Sequence, residues 1–341
     1  MIMEKQRLLN AIKQMNNDRP PCICPGGMMN MAVRELMEQA GIKFPLAHID
    51  AQAMADLAAA ACESQCFENY GVPFCMTIEA EQLGAAVDLG DINYEPRVVE
   101  YPFQSVDEWA KLIKPVSSSR ADVVTQAIKI LKAKNEHVPI IANLTGPISV
   151  ASSLIEPTVF YKELRRKNKA AHEFMEFVTQ SLIDFGCEQL VAGADIITIS
   201  DPSGTGEIMG PALFDEFVVR YLNMLLDGIE RKFGKVPTIV HICGRVHKVY
   251  TQLNKLKCDV LSFDAFVSMK QAKENLPNHT IMGNVSTYAI ERATPDKVAV
   301  LAKKAVSDGV HILSPACGLG LYSPLANIKA MLASAKGEFD A

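Results

Sequence analysis

The sequence predicts a (β/α)8 TIM barrel with an N-terminal helical extension over residues 1–20, all in one domain spanning 1–341. Three observations predict it. Short apolar, β-branched runs alternate with helical patterns, as parallel strands covered on both faces require. The chain of 341 residues holds eight such units. The G-x-G-x-x-G turn that an open doubly wound sheet carries after an early strand is missing, since Gly204-Thr-Gly206 lacks the third glycine and follows a middle strand.

The elements follow in order. Leu8, Leu9, Ile12 and Met15 recur at helical spacing over 4–17, and Arg19-Pro20-Pro21 stops that helix. Cys22-Ile23-Cys24 reads as the first strand, ended by Pro25-Gly26-Gly27. Helical patterns over 29–41 and 51–66 precede a second strand at 68–74. Residues 76–104 are less regular and read as a hairpin or excursion, followed by a helix over 120–134. From there the rhythm is strict. Strands are expected at 138–142, 194–200, 238–244, 259–264, 280–284 and 310–315, with helices between them that include 211–232, 246–256 and 294–308. Ser323-Pro324 reads as cap and first turn of a closing helix. Repeats, low-complexity tracts and linkers are lacking.

Composition narrows the function. The chain is 49% hydrophobic and 21% charged, ordinary values for a globular protein. A net charge of −5 gives no reason to expect nucleic acid or an anionic membrane as partner. The opening Met-Ile-Met-Glu-Lys-Gln-Arg lacks the apolar core of a signal peptide, and no apolar run approaches the roughly 20 residues of a membrane span. Nine scattered cysteines, an odd number, argue against a disulfide framework and for a reducing cytoplasm.

Active sites of such barrels lie at the C-terminal ends of the strands. The polar residues expected there are Asn143, Asp201, His241, Cys243, Asp264, Asn284 and Cys317. His241 and Cys243 in T-I-V-H-I-C-G share one strand face, because side chains alternate. With Cys317 they make a Cys₂His set, the kind used by catalytic zinc, with Asp264 for the fourth position. The competing reading makes His241 and Cys243 buried strand residues and Cys317 a loop thiol. Asp264, Asp201 and Glu79 are the candidate catalytic acids, and Asn143 and Asn284 the candidate cofactor-binding residues. Glu79 and Glu81 read equally as site acids or as a solvated edge. Cys22 and Cys24 read as barrel core, and Cys62 and Cys66 as helix packing. Met28, Met29 and Met31 read as gap-filling core or as the lining of an apolar mouth. His137, His172, His247 and His279 read as surface or helix residues, and His311 as a core histidine. Zinc on two thiolates and one imidazole carries little net charge, and it can bind a further thiol and lower its pKa. That chemistry suits alkyl transfer to sulfur better than hydrolysis.

These residues carry a family resemblance over nearly the whole chain. The segments are A-H-I-D-A-Q-A-M (47–54), V-P-F-C-M-T-I-E-A-E-Q-L-G-A (72–85), G-P-I-S-V-A-S (146–152), G-A-D-I-I-T-I-S-D-P (193–202), H-I-C-G (241–244), L-S-F-D (261–264), G-N-V-S (283–286) and S-P-A-C-G (314–318). The chain resembles the uroporphyrinogen decarboxylase superfamily, and within it the corrinoid-dependent methyltransferases of the methylcobamide:coenzyme M type. The resemblance implies a TIM barrel and zinc on His241, Cys243 and Cys317. It also implies an acid at Asp264 as displaceable ligand, where close relatives carry Glu. The arginine-rich R-Q-A-G-R segment of the decarboxylase branch is missing after Arg19-Pro20, which argues against decarboxylation of an anionic tetrapyrrole. No D-x-H-x-x-G corrinoid-binding signature is present, so cobalamin is expected on a separate partner protein. The expected activity moves a methyl group between that corrinoid and a small acceptor, a thiol such as coenzyme M. Two alternatives stand beside it: a first-step enzyme taking methyl from a methoxylated aromatic or a methylamine, and a barrel that binds without catalysis.

Overall fold

The computed structural model describes residues 2–111 and 119–339. Seven strands form one parallel sheet: β1 (Tyr70–Val72), β4 (Ile140–Thr145), β5 (Ile196–Ser200), β6 (Thr238–Ile242), β7 (Val260–Phe263), β8 (Thr280–Val285) and β9 (Ile312–Pro315), paired in that order. A separate antiparallel hairpin, β2 (Ala86–Asp88) with β3 (Arg97–Glu100), lies within the excursion expected over 76–104. The strands of the parallel sheet are β-branched and aliphatic, and all but Asn284 at the end of β8 are buried along their length. Helices pack between successive strands, and the apolar residues of both form one continuous core.

The first expected strand is the main departure. Cys22 makes a single parallel bridge with Leu313 of β9, and no ladder develops. The cause is local. Pro20, Pro21 and Pro25 have no N–H to give. Side chains take over instead: Glu68 accepts from the Cys22 amide, and Asn69 spans both the amide and the carbonyl of Cys24. Backbone bonds from Ile23 to the Leu313 carbonyl and from Glu68 to the Cys22 carbonyl hold the segment between β9 and the approach to β1.

Helix ends also moved for physical reasons. The first helix stops at Ile12, before its expected end. The helix expected over 29–41 is Arg34–Ala40, because the chain from Met28 to Ala32 is used at the site described below. The helix expected over 211–232 is broken: Gly210 takes a positive φ before Pro211, a π-helical turn covers Phe214–Val219, and an α-helix runs from Arg220 to Phe233. The expected helix over 246–256 shrinks to Tyr250–Leu253. The closing helix begins at Leu325, and Ser323 does not cap it. The Leu325 amide donates instead to the Glu35 carboxylate, a cap supplied from a distant helix. His279 is buried, contrary to expectation, because the turn before β8 brings its ring onto the Leu256 carbonyl. His311 is half-buried and accepts a hydrogen bond from the Ile281 amide. Among the described residues, no helix is long and apolar enough to cross a membrane.

Candidate metal centre

Register builds the site. Thr145, Ser200, His241 and Ser262 are aligned across β4, β5, β6 and β7. Aligned residues of parallel strands share a face, so these four point together into the curl of the sheet. His241 is fully buried, and its Nδ1 lies 3.0 Å from the Ser262 hydroxyl. Its Nε2 is thereby aimed at the mouth, 3.2 Å from Cys243 Sγ. Cys243 lies two residues on, just past the end of β6, and Cys317 two residues past the end of β9. Their sulfurs are 3.9 Å apart.

The three ligand atoms of His241, Cys243 and Cys317 all lie within 4.8 Å of one another, and among the described residues this is the one such group. Two sulfurs bound tetrahedrally to zinc at about 2.3 Å stand roughly 3.8 Å apart. The donor set and its spacing therefore fit that ion. A hydrogen bond between the two sulfurs holds Cys317 below the usual thiol range and raises Cys243. Met28 Sδ lies 3.9 Å from Cys243 Sγ, and the Ser262 hydroxyl contacts Met29 Sδ at 3.8 Å. These two methionines line the site.

The other expected residues surround the cluster without joining it. One Asp264 oxygen accepts from the Phe266 amide at 3.1 Å and the other from the Gly244 amide at 3.4 Å. Asn284 donates to the carbonyls of Asp264 and Val267 and so fixes that loop. Asp201 is fully buried, and its carboxylate accepts from the Ile148 and Ser149 amides and the Ser149 hydroxyl. Glu79 is buried and accepts from the amide and hydroxyl of Thr145. Burial raises the pKa of both acids. Asn143 donates to the carbonyls of Pro25, Val72 and Ile141, and its own oxygen has no partner among the described residues. It packs against Gly26 and Gly27, both at positive φ; a Cβ on either would come within 2.8 Å of Asn143.

Sequence reasoning missed four residues here. Ser262 had a signal, since it shares the face of His241 once the register is known. Cys75, just before the irregular excursion, and Glu95, within it, line the mouth where no period marks them. Arg120 is buried behind them and donates to Cys75, Thr77 and Glu81.

With this geometry in hand, the likenesses are consistent. The chain is 31% identical over 335 residues to the methylcobamide:CoM methyltransferase MtbA of Methanosarcina acetivorans, covering 97% of each. It is 27% identical over 339 residues to a methylated-thiol–coenzyme M methyltransferase of Methanosarcina mazei, covering 98% of this chain and 90% of that one. Among solved structures, a methyltransferase from Methanosarcina mazei superposes with a TM-score of 0.89 at 29% identity over 99% of both chains. The family model described as uroporphyrinogen decarboxylase (URO-D) matches residues 3–337. The chain belongs to the uroporphyrinogen decarboxylase family.

Proposed function

We propose that this protein is a zinc-dependent methyltransferase that moves a methyl group between the cobalt of a corrinoid, carried by a separate protein, and a small thiol. The observation that carries the reading is the His241, Cys243 and Cys317 cluster at the mouth of the sheet, in a chain 31% identical to a methylcobamide:CoM methyltransferase. His241, Cys243 and Cys317 hold the ion, and zinc there supplies the Lewis acidity that turns a bound thiol into a thiolate near neutral pH. Ser262 fixes the tautomer and plane of His241. Asp264 serves as the displaceable fourth ligand, and Asn284 positions its loop. Asp201 and Glu79 have their oxygens committed to backbone amides and act as positioning residues for the turns after β4. Asn143 holds the Gly26-Gly27 turn that carries Met28 to the site.

In this reading residues 1–341 form one domain, with 1–20 as an N-terminal helical extension, and the Cys22–Cys24 segment closes the sheet into a complete barrel by bridging β9 and the entry to β1. The corrinoid partner docks over the mouth, where Phe266 and Tyr322, on loops after β7 and β9, and Tyr288, in the short helix Thr287–Arg292 after β8, are 69%, 56% and 76% exposed. Exposed aromatic rings of this kind favour a protein partner. Nine free cysteines fit a reducing cytoplasm.

The test is demethylation of methylcobalamin by thiols, run on protein of measured zinc content. Thiol-dependent loss of the methyl group that vanishes on chelation and returns with zinc supports the reading. Full activity in metal-free protein overturns it. Methyl transfer from a methoxylated aromatic or a methylamine to a corrinoid protein, without thiol-dependent demethylation, would assign the first-step role instead. Ser262→Ala is expected to weaken zinc binding by about 10-fold to 100-fold, as loss of an outer-shell partner does. Competition against a chromogenic chelator reads that loss.

A further inference from the structure

Met28 joins the ligand cluster to the cavity that opens beside it. Its Sδ lies 3.9 Å from Cys243 Sγ, the same separation that divides Cys243 from Cys317. A cavity of about 640 Å³ has Met28, Cys317 and Gly318 among its walls. The half-buried Met28 side chain therefore faces what enters this cavity toward the three ligands.

The surrounding turn holds Met28 in place. The Gly26 amide donates to the Met29 carbonyl at 3.0 Å, and the Gly27 amide to the Pro73 carbonyl at 2.7 Å. The Cys24 thiol donates to the same Met29 carbonyl at 3.0 Å. Met29 Sδ in turn reaches the Ser262 hydroxyl that orients His241. On the other side, the Met28 carbonyl abuts the residue after Cys317: a Cβ on Gly318 would come within 2.3 Å of that oxygen. The Met28 main chain is thus seated against the Cys317 loop while its side chain reaches Cys243.

A thioether has no N–H or O–H to give and is a weak acceptor. Water entering beside it leaves a polar hydrogen unpaired on that side, a cost that the methylene chain of a thiol does not meet. We infer that Met28 is a positioning residue that makes the open metal position selective for a thiol over water: its thioether keeps water out and seats the carbon that carries the entering sulfur. This deepens the zinc-and-thiol reading above and rests on it. No bond to Met28 forms or breaks, and the metal stays on its ligands without it.

The test uses Met28→Leu, which keeps the apolar wall, and Met28→Gln, which keeps the length and adds hydrogen-bonding groups. Metal analysis gives the zinc content of each. Calorimetry measures the binding of 2-mercaptoethanesulfonate to the zinc-loaded proteins. The visible d–d spectrum of the Co²⁺-substituted proteins reports added water, because its intensity falls when the coordination number rises above four. Equal zinc is expected in the two variants and the wild type. Met28→Gln is expected to bind the thiol about tenfold more weakly and to lose d–d intensity, and Met28→Leu to stay within about threefold and keep the wild-type spectrum. Equal losses in the two variants overturn the inference, as does thiol binding unmoved by Met28→Gln or zinc lost from Met28→Leu. A wild-type protein that fails to demethylate methylcobalamin would sink the methyl-transfer reading alone, since binding and spectrum are read without methyl transfer.

Discussion

Cys317→Ala is expected to cut zinc occupancy, and thiol-dependent demethylation of methylcobalamin with it, by more than about 100-fold, beyond the loss typical of an outer-shell partner. The geometry leaves no substitute. Among the described residues, no third cysteine or second histidine joins the mutually close group, and the Asp264 oxygens face the Gly244 and Phe266 amides. Cys317 lies past the end of its strand and is only partly buried, so the alanine creates little cavity strain. Folding, followed by the unfolding transition of the metal-free proteins, is therefore expected to be unchanged within about 1 kcal/mol. Metal analysis and demethylation rates measured on one preparation check the result. A variant that retains stoichiometric zinc would show that the thiol is not a ligand.

The second large effect lies on the far side of the sheet. Glu68 has 5% side-chain exposure and gathers four donors. Oε1 accepts from Arg7 at 3.0 Å and Arg19 at 2.6 Å, and Oε2 accepts from Arg19 and the Cys22 amide, each at 2.8 Å. Removing one partner of a buried ion pair leaves the other charge uncompensated, so Glu68→Ala is expected to destabilise by about 3 kcal/mol. The value sits at the low end because Asp18 still pairs with Arg7. Glu68→Gln keeps the shape and one acceptor and should lose less. Urea unfolding checks both: the midpoint should fall with an unchanged slope. A loss below about 1 kcal/mol would mean that other contacts hold the Cys22 segment.

These two sites differ in how visible they are in the chain. H-x-C at a strand end is a local pattern, because the period of two alone puts both side chains on one face. Cys317 follows from the same logic applied to the last strand. Glu68 carries no such mark. It heads the strand expected over 68–74, and its role appears only when Arg7, Arg19 and Cys22 fold onto it. Glu95 is similar. It lies between the two strands of the hairpin, where period gives no face, and its contact with Asn30 spans 65 residues of chain.

The sequence by itself determined the alternation of strands and helices, the strand ends that meet at one mouth, and three side chains fit to hold zinc. Periodicity and turn chemistry act over a few residues, so they are written locally. Only the tertiary structure decided that Cys22 bridges β9 without a ladder, that Ser262 orients His241, that Asp264 turns to backbone amides, and that Met28 reaches Cys243. Each of those depends on register and loop packing between segments distant in the chain, and the competition among alternative hydrogen-bond partners is settled only when they meet.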